Sequence, residues 1–265
     1  MQEDIVTGLV QDIRRYQPRI GGKKLYKLLK PDLDKLEGGT IGRDKFFDIL
    51  RERKLLVKRR KKYVRTTDSY HRFHKYKNRL KERLLTAPNQ AYASDITYLR
   101  TREGFVYLFL QTDIYSRLIT GWELSNSLAI EGAVKALKMT IKQCPETEKV
   151  IHHSDKGIQY CSDEYVKILK DNKMEISMTE ENHCYENALA ERVNGILKTE
   201  LLQETYKHFE EASKSVVKAV LLYNSLRPHS SCEMLTPLEA HHKEGKLKRH
   251  WKNYYKKKEV QMDAP

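Results

Sequence analysis

Residues 91–101 read Ala91-Tyr92-Ala93-Ser94-Asp95-Ile96-Thr97-Tyr98-Leu99-Arg100-Thr101. A β-branched and aromatic run of this length predicts a strand, with Asp95 in its middle. Arg102-Glu103-Gly104 is a turn, and the very apolar residues 105–113 form a second strand. A third strand covers 118–124. The spacing of Ala133, Leu137 and Ile141 predicts a helix over 129–144. Beyond it lie a short strand at 149–153, a helix at 162–172, a strand at 174–179, and helices at 185–202 and 210–226.

The order β-β-β-α-β-α-β-α describes an α/β fold with a ribonuclease-H-like mixed sheet, an antiparallel meander followed by crossover strands and covered by helices. In such a sheet Asp95 is mid-strand, Asp155 lies just past the fourth strand, and Glu191 sits in the first turns of the following helix. With 35 residues between Asp155 and Glu191, three separate elements can bring their carboxylates together. Such a group can hold two Mg²⁺ ions, with Mn²⁺ a ready substitute, and a metal pair stabilises both the attacking and the leaving oxygen at a phosphodiester. The pattern points to a protein that cuts and joins DNA.

Charge distribution agrees. The chain has 265 residues and net charge +14. Residues 51–90 carry 15 Lys/Arg against 3 Asp/Glu, whereas residues 91–245 carry 18 against 23. The last twenty carry 7 against 2. A slightly acidic centre between basic arms suits a protein that grips a polyanion while a metal site acts on it. No apolar run approaches the roughly 20 residues of a membrane span. The N-terminus lacks a signal-peptide pattern, and the scattered Cys144, Cys161, Cys184 and Cys232 fit a reduced cytosol.

Four regions are expected. Residues 1–56 hold three short helices with glycine-bearing turns, a helix-turn-helix-like unit for DNA binding or a simple packing bundle. Pro31 is expected to break the second of these helices and Thr40 to cap the third. Residues 57–90 form a basic linker containing Lys58, Arg59, Arg60, Lys61 and Lys62. This run is either a DNA-tracking segment or a solvated tether, and its interleaved aromatics, Phe73 and Tyr76 among them, either stack on bases or anchor the linker. Residues 91–245 are the catalytic core, and 246–265 a basic tail.

On the Glu191 helix, Asn187 and Lys198 share the face of the acid. Asn187 is expected to support the site and Lys198 to contact a DNA phosphate, the alternative for Lys198 being an ordinary surface lysine. Gly195 between them permits close backbone approach. Asp113 is left outside the triad as a partner of Arg117, and His152 and His153 receive no catalytic role.

The motifs carry a resemblance. Tyr92-Ala93-Ser94-Asp95-Ile96-Thr97-Tyr98 resembles the first-aspartate strand of the retroviral-integrase superfamily. His153-Ser154-Asp155-Lys156-Gly157-Ile158-Gln159-Tyr160 and Asn187-Ala188-Leu189-Ala190-Glu191 resemble its second-aspartate and glutamate motifs. Tyr223-Asn224-Ser225-Leu226-Arg227-Pro228-His229, followed by Thr236-Pro237, resembles the segment that closes the domain. The ordered set is similar to the second-frame product of the IS three family of insertion sequences. The resemblance implies a DDE transposase with Asp95, Asp155 and Glu191 as metal ligands. It implies nicking at element ends to free a 3′-hydroxyl, and attack of that hydroxyl on target DNA. It also implies a homo-oligomer on DNA in the bacterial cytosol, associated with the nucleoid, and a first-frame product as fusion or partner. On the residues alone, a non-catalytic DNA-binding relic and a nuclease that hydrolyses without joining stay open.

Overall fold

The computed structural model describes residues 2–36, 39–57, 72–81, 83–180 and 187–247. Lys58 to Lys62, Cys184 and residues 248–265 of the basic tail lie outside them.

Five strands, β1 (Ala91–Thr101), β2 (Gly104–Asp113), β3 (Ile119–Ser125), β4 (Ile151–Ser154) and β5 (Glu175–Met178), form one sheet in the order β3-β2-β1-β4-β5. β1, β2 and β3 are antiparallel neighbours, while β4 pairs parallel to β1 and β5 parallel to β4. The meander followed by parallel crossovers is the ribonuclease-H-like arrangement expected from the sequence.

Strand alternation gives the sheet two buried faces. Tyr92 and Phe109 point to the side covered by α4 (Ile130–Gln143), α5 (Ile158–Cys161) and α6 (Asp163–Asp171). Leu99, Val106, Leu108 and Leu110 point to the other side, covered by α7 (Ala188–Ile196), a π-helical turn over Leu197–Leu201, and α8 (Phe209–Ser225). A short α9 (Pro237–Ala240) follows, closed by a capping box between Thr236 and Glu239. Asp95, in phase with Leu99, therefore faces α7.

The α4 side is held by close backbone approach. A Cβ on Gly121 of β3 would lie 2.1 Å from the Ala136 carbonyl oxygen and 2.5 Å from Thr140 Oγ1. Neither a strand backbone nor a mid-helix carbonyl yields easily. Gly121→Ala is expected to destabilise the chain by at least about 1–3 kcal/mol in denaturant unfolding, the cost of overpacking. Unchanged stability would show that α4 shifts freely on the sheet.

The three N-terminal helices, α1 (Gln2–Tyr16), α2 (Gly22–Leu33) and α3 (Arg43–Glu52), enclose a core of their own built on Val6, Val10, Ile20, Leu25, Leu29, Phe46 and Leu50. Two expectations are corrected. α2 runs through Pro31 instead of ending there: the missing N–H costs one ladder bond, but Leu25, Leu29 and Leu33 are all buried along the same helix. α3 starts at Arg43 with Gly42 as its N-cap, so Thr40 does not cap it.

Residues 72–81 run beside the sheet edge at β5. Arg79 N–H donates to Ser177 Oγ (2.9 Å), and the Arg79 and Arg83 guanidinium groups each reach Glu175 at 3.1 Å. Phe73 and Tyr76 pack against the core, so they anchor this segment, the second of the two roles open to them. Among the described residues no helix is long and apolar enough to cross a membrane.

Candidate active site

Strand register brings the first two acids together. β1 and β4 run parallel with Ala93 opposite His153. Two steps further along both chains, Asp95 comes level with Asp155, the first residue past β4. Asp155 is fixed by its own turn: Gly157 N–H donates to Asp155 Oδ1 at 2.9 Å. A Cβ on Gly157 would stand 3.0 Å from that oxygen, so glycine permits the tight turn that leads into α5.

Glu191 arrives from α7, in its exposed first turn. Asn187 Nδ2 donates to the Ser94 carbonyl (3.4 Å), and its own carbonyl accepts from Glu191 N–H (3.1 Å). Asn187 thus ties the start of the helix to β1. One turn on, Asn194 Nδ2 donates to Asp95 Oδ2 at 2.6 Å. Asn194 is a site residue that no sequence motif singles out. The signal was available: residues 187, 191, 194 and 198 recur at helical spacing on one face.

The electrostatics agree with this convergence. Burial, and then the negative charge of Asp155, push the Asp95 carboxyl up to about 7; Glu191 adds to the rise, while the Asn194 hydrogen bond and the Ile96 backbone amide oppose it. Lys198 lies within the field of the same group: burial lowers its pKa and the Asp95 carboxylate raises it. Lys198 is thus within electrostatic range of Asp95, although the chain has left α-helical geometry there for the π-helical turn.

The donor set suits a hard divalent cation. It offers carboxylate oxygens and no thiolate. The mutual repulsion that raises Asp95 is what a bound cation would relieve. Two buried side-chain oxygens nearby, Asn187 Oδ1 and Asn194 Oδ1, accept no hydrogen bond. The acids do not close into a finished cage, however: among the described residues no three His, Cys, Asp or Glu side chains are grouped closely enough to hold a metal by themselves.

Several other residues take structural places. Asp113 is fully buried and does not use the Arg117 guanidinium expected for it. Its Oδ1 accepts from Ser116 N–H (2.6 Å) and Ser116 Oγ–H (2.7 Å), and its Oδ2 from Asn89 N–H (2.8 Å). The Arg117 guanidinium instead reaches the Ile114 carbonyl and Ser231 Oγ. His152 is buried against Ser94 Oγ (2.6 Å) and Tyr165 OH (2.9 Å), and burial drives its pKa down to about 3. A Cβ on Gly195 would meet nothing within 4 Å, so the close backbone approach expected there is not used on that side of the helix.

Known proteins resemble this chain over much of its length. A family model described as "Integrase core domain" matches residues 86–184, and a second of the same description matches 172–237. The "Insertion element IS600 uncharacterized 31 kDa protein" of Shigella sonnei is 32% identical over 203 residues, covering 76% of this chain and 75% of that protein. "Transposase InsF for insertion sequence IS3A" of Escherichia coli (strain K12) is 37% identical over 158 residues, 57% of this chain, and the match spans only 54% of InsF. Among solved structures, a simian T-cell lymphotropic virus intasome in complex with PP2A regulatory subunit B56 gamma aligns with a TM-score of 0.52 at 18% identity, over 94% of this chain and 80% of that one. That last likeness concerns the fold alone.

Proposed function

This chain belongs to the integrase-core transposases of the IS three family of insertion sequences, and from that membership we propose that it cuts the ends of a DNA element and joins them to new DNA. The observation that carries the reading is the parallel register of β1 and β4, which sets Asp155 level with Asp95 on the face crossed by α7. Asp95, Asp155 and Glu191 are the residues we assign to divalent-cation binding.

Two Mg²⁺ or Mn²⁺ ions held there would supply Lewis-acid activation of the attacking oxygen and charge neutralisation at the departing one. The chain's own residues prepare that site. Asn194 fixes one oxygen of Asp95 with a hydrogen bond of 2.6 Å. Asn187 holds α7 against β1, so that Glu191 is presented from a helix anchored at its first turn. Lys198 places a cation within the field of Asp95 and is well located to meet a backbone phosphate. In the first step water attacks at the element end, the P–O3′ bond breaks, and a free 3′-hydroxyl is left. In the second that hydroxyl attacks a target phosphodiester, one P–O bond forming as another breaks. No side-chain nucleophile is required.

DNA is thus the substrate and principal partner, with the basic run Lys58-Arg59-Arg60-Lys61-Lys62 and the N-terminal helices as candidate grips. Assembly of several copies on paired ends, a first-frame product as companion, and a bacterial cytosolic, nucleoid-associated setting accompany the same reading.

The test is strand joining. A labelled element end is incubated with purified chain, supercoiled plasmid and Mg²⁺ or Mn²⁺. Covalent transfer of label to plasmid is expected, dependent on the divalent ion. Cleavage without transfer would identify a hydrolytic nuclease, and binding without either would identify a regulatory relic.

A further inference from the structure

The π-helical turn that carries Lys198 also carries Glu200, whose side chain looks the other way. Glu200 Oε1 and Oε2 accept from Arg227 Nη2 and Nε, each at 2.8 Å, a bidentate pair. Lys24 Nζ, from α2, donates to the same Oε1 at 2.8 Å. The three side chains are nearly enclosed, with 17% of Lys24, 16% of Glu200 and 3% of Arg227 exposed. Close by, Gln17 Nε2 donates to the Leu226 carbonyl at 3.4 Å, a second link between the N-terminal helices and the end of α8.

Each part of this clasp has a distinct consequence. Arg227 alone supplies Glu200 with two hydrogen bonds, and both residues belong to the core. Lys24 adds nothing the core needs for itself; it is the N-terminal unit's charged hold on the turn. The turn is irregular, its end closed by a bond from Leu202 N–H to the Leu197 carbonyl (2.8 Å). Single π-turns of this kind gather at functional sites, and an ordinary α-turn is the regular alternative. A change between the two would rotate Lys198 and Glu200 together.

We infer that Glu200 is a positioning residue: clasped by Lys24 and Arg227, it holds the π-helical turn in register, and so couples the N-terminal helices to the placement of Lys198 within electrostatic range of Asp95. The catalytic half of this inference rests on the function proposed above; the structural half does not.

The experiment uses the full chain with Lys24→Met, which leaves the Glu200–Arg227 pair intact, and Lys24→Arg, which restores a cation. Lys24→Met is expected to speed amide hydrogen exchange over residues 197–202 by about tenfold, with exchange in β1 and β2 unchanged. Joining should lose about tenfold in kcat with KM for the DNA end unchanged, and Lys24→Arg should recover most of both. Glu200→Gln, which weakens both arms while keeping shape, should accelerate exchange further. Unchanged exchange over 197–202 in Lys24→Met and Glu200→Gln overturns the inference, whatever the assay gives. Faster exchange with unaltered kcat in an active chain overturns the coupling to chemistry. A wild-type chain that cannot join DNA refutes the functional reading and leaves the exchange comparison to decide the clasp.

Discussion

Replacing Asp155 by asparagine is expected to abolish cleavage and joining while leaving the chain folded and able to bind DNA. The turn survives, because an asparagine Oδ1 can still accept the Gly157 N–H bond that Asp155 Oδ1 accepts at 2.9 Å. The charge does not survive, and a bound cation would lose one of its three anionic ligands. Metal assistance at a phosphodiester is worth several kcal/mol, so the loss should reach roughly a thousandfold or more in rate. Affinity for end DNA, measured without divalent ions, should hold or rise slightly, since one negative charge has left the surface that faces phosphate. Joining at the wild-type rate by a purified Asp155→Asn chain would remove Asp155 from the cation site.

Acid should weaken the fold through its buried histidines. Burial drives His152 from 6.5 down to about 3, and drives His229 down to about 2 with the help of the Arg227, Arg117, Lys24 and Arg192 charges. Both rings stay neutral in the folded chain while their unfolded counterparts take up protons below about 6.5. Their stabilisation is complete above that pH and is lost as pH falls toward the folded values. By pH 5 each ring should have cost about 2 kcal/mol. Asp95, raised to about 7, pulls in the opposite direction over the same range, so the informative quantity is a difference. Between pH 7.5 and 5, the stability of the His152→Gln chain should change less unfavourably than that of wild type by about 2 kcal/mol. Parallel stability curves for the two chains would show that His152 titrates normally.

Much of this architecture is written locally. β1 is found at its expected bounds because its β-branched and aromatic residues favour an extended chain, and both its faces are buried. β2 reads as clearly, being apolar almost throughout. The positions of Asp95, Asp155 and Glu191 within their elements follow from those assignments. What escaped was set by distant partners. Leu197 to Leu201, in sequence an ordinary continuation of the Glu191 helix, winds as a π-turn, and it carries Glu200 to Arg227 and Lys24. Asn194 looks like a neutral helical residue until β1 lies beneath it. Asp113 has an arginine nearby in sequence, yet the tight turn after β2 offers Ser116 N–H and Oγ–H first. α5, only four residues long between Gly157 and Ser162, is too short for periodicity to register.

The most direct test of the site is to locate manganese. Crystals of the chain with bound element-end DNA, grown in Mn²⁺ and measured for anomalous scattering, should show two peaks roughly 3.5–4 Å apart. Carboxylate oxygens of Asp95, Asp155 and Glu191 should ligate them, with Glu191 drawn inward from its exposed position on α7. Manganese bound elsewhere, or no peak among these three side chains with DNA seated in the site, would contradict the assignment.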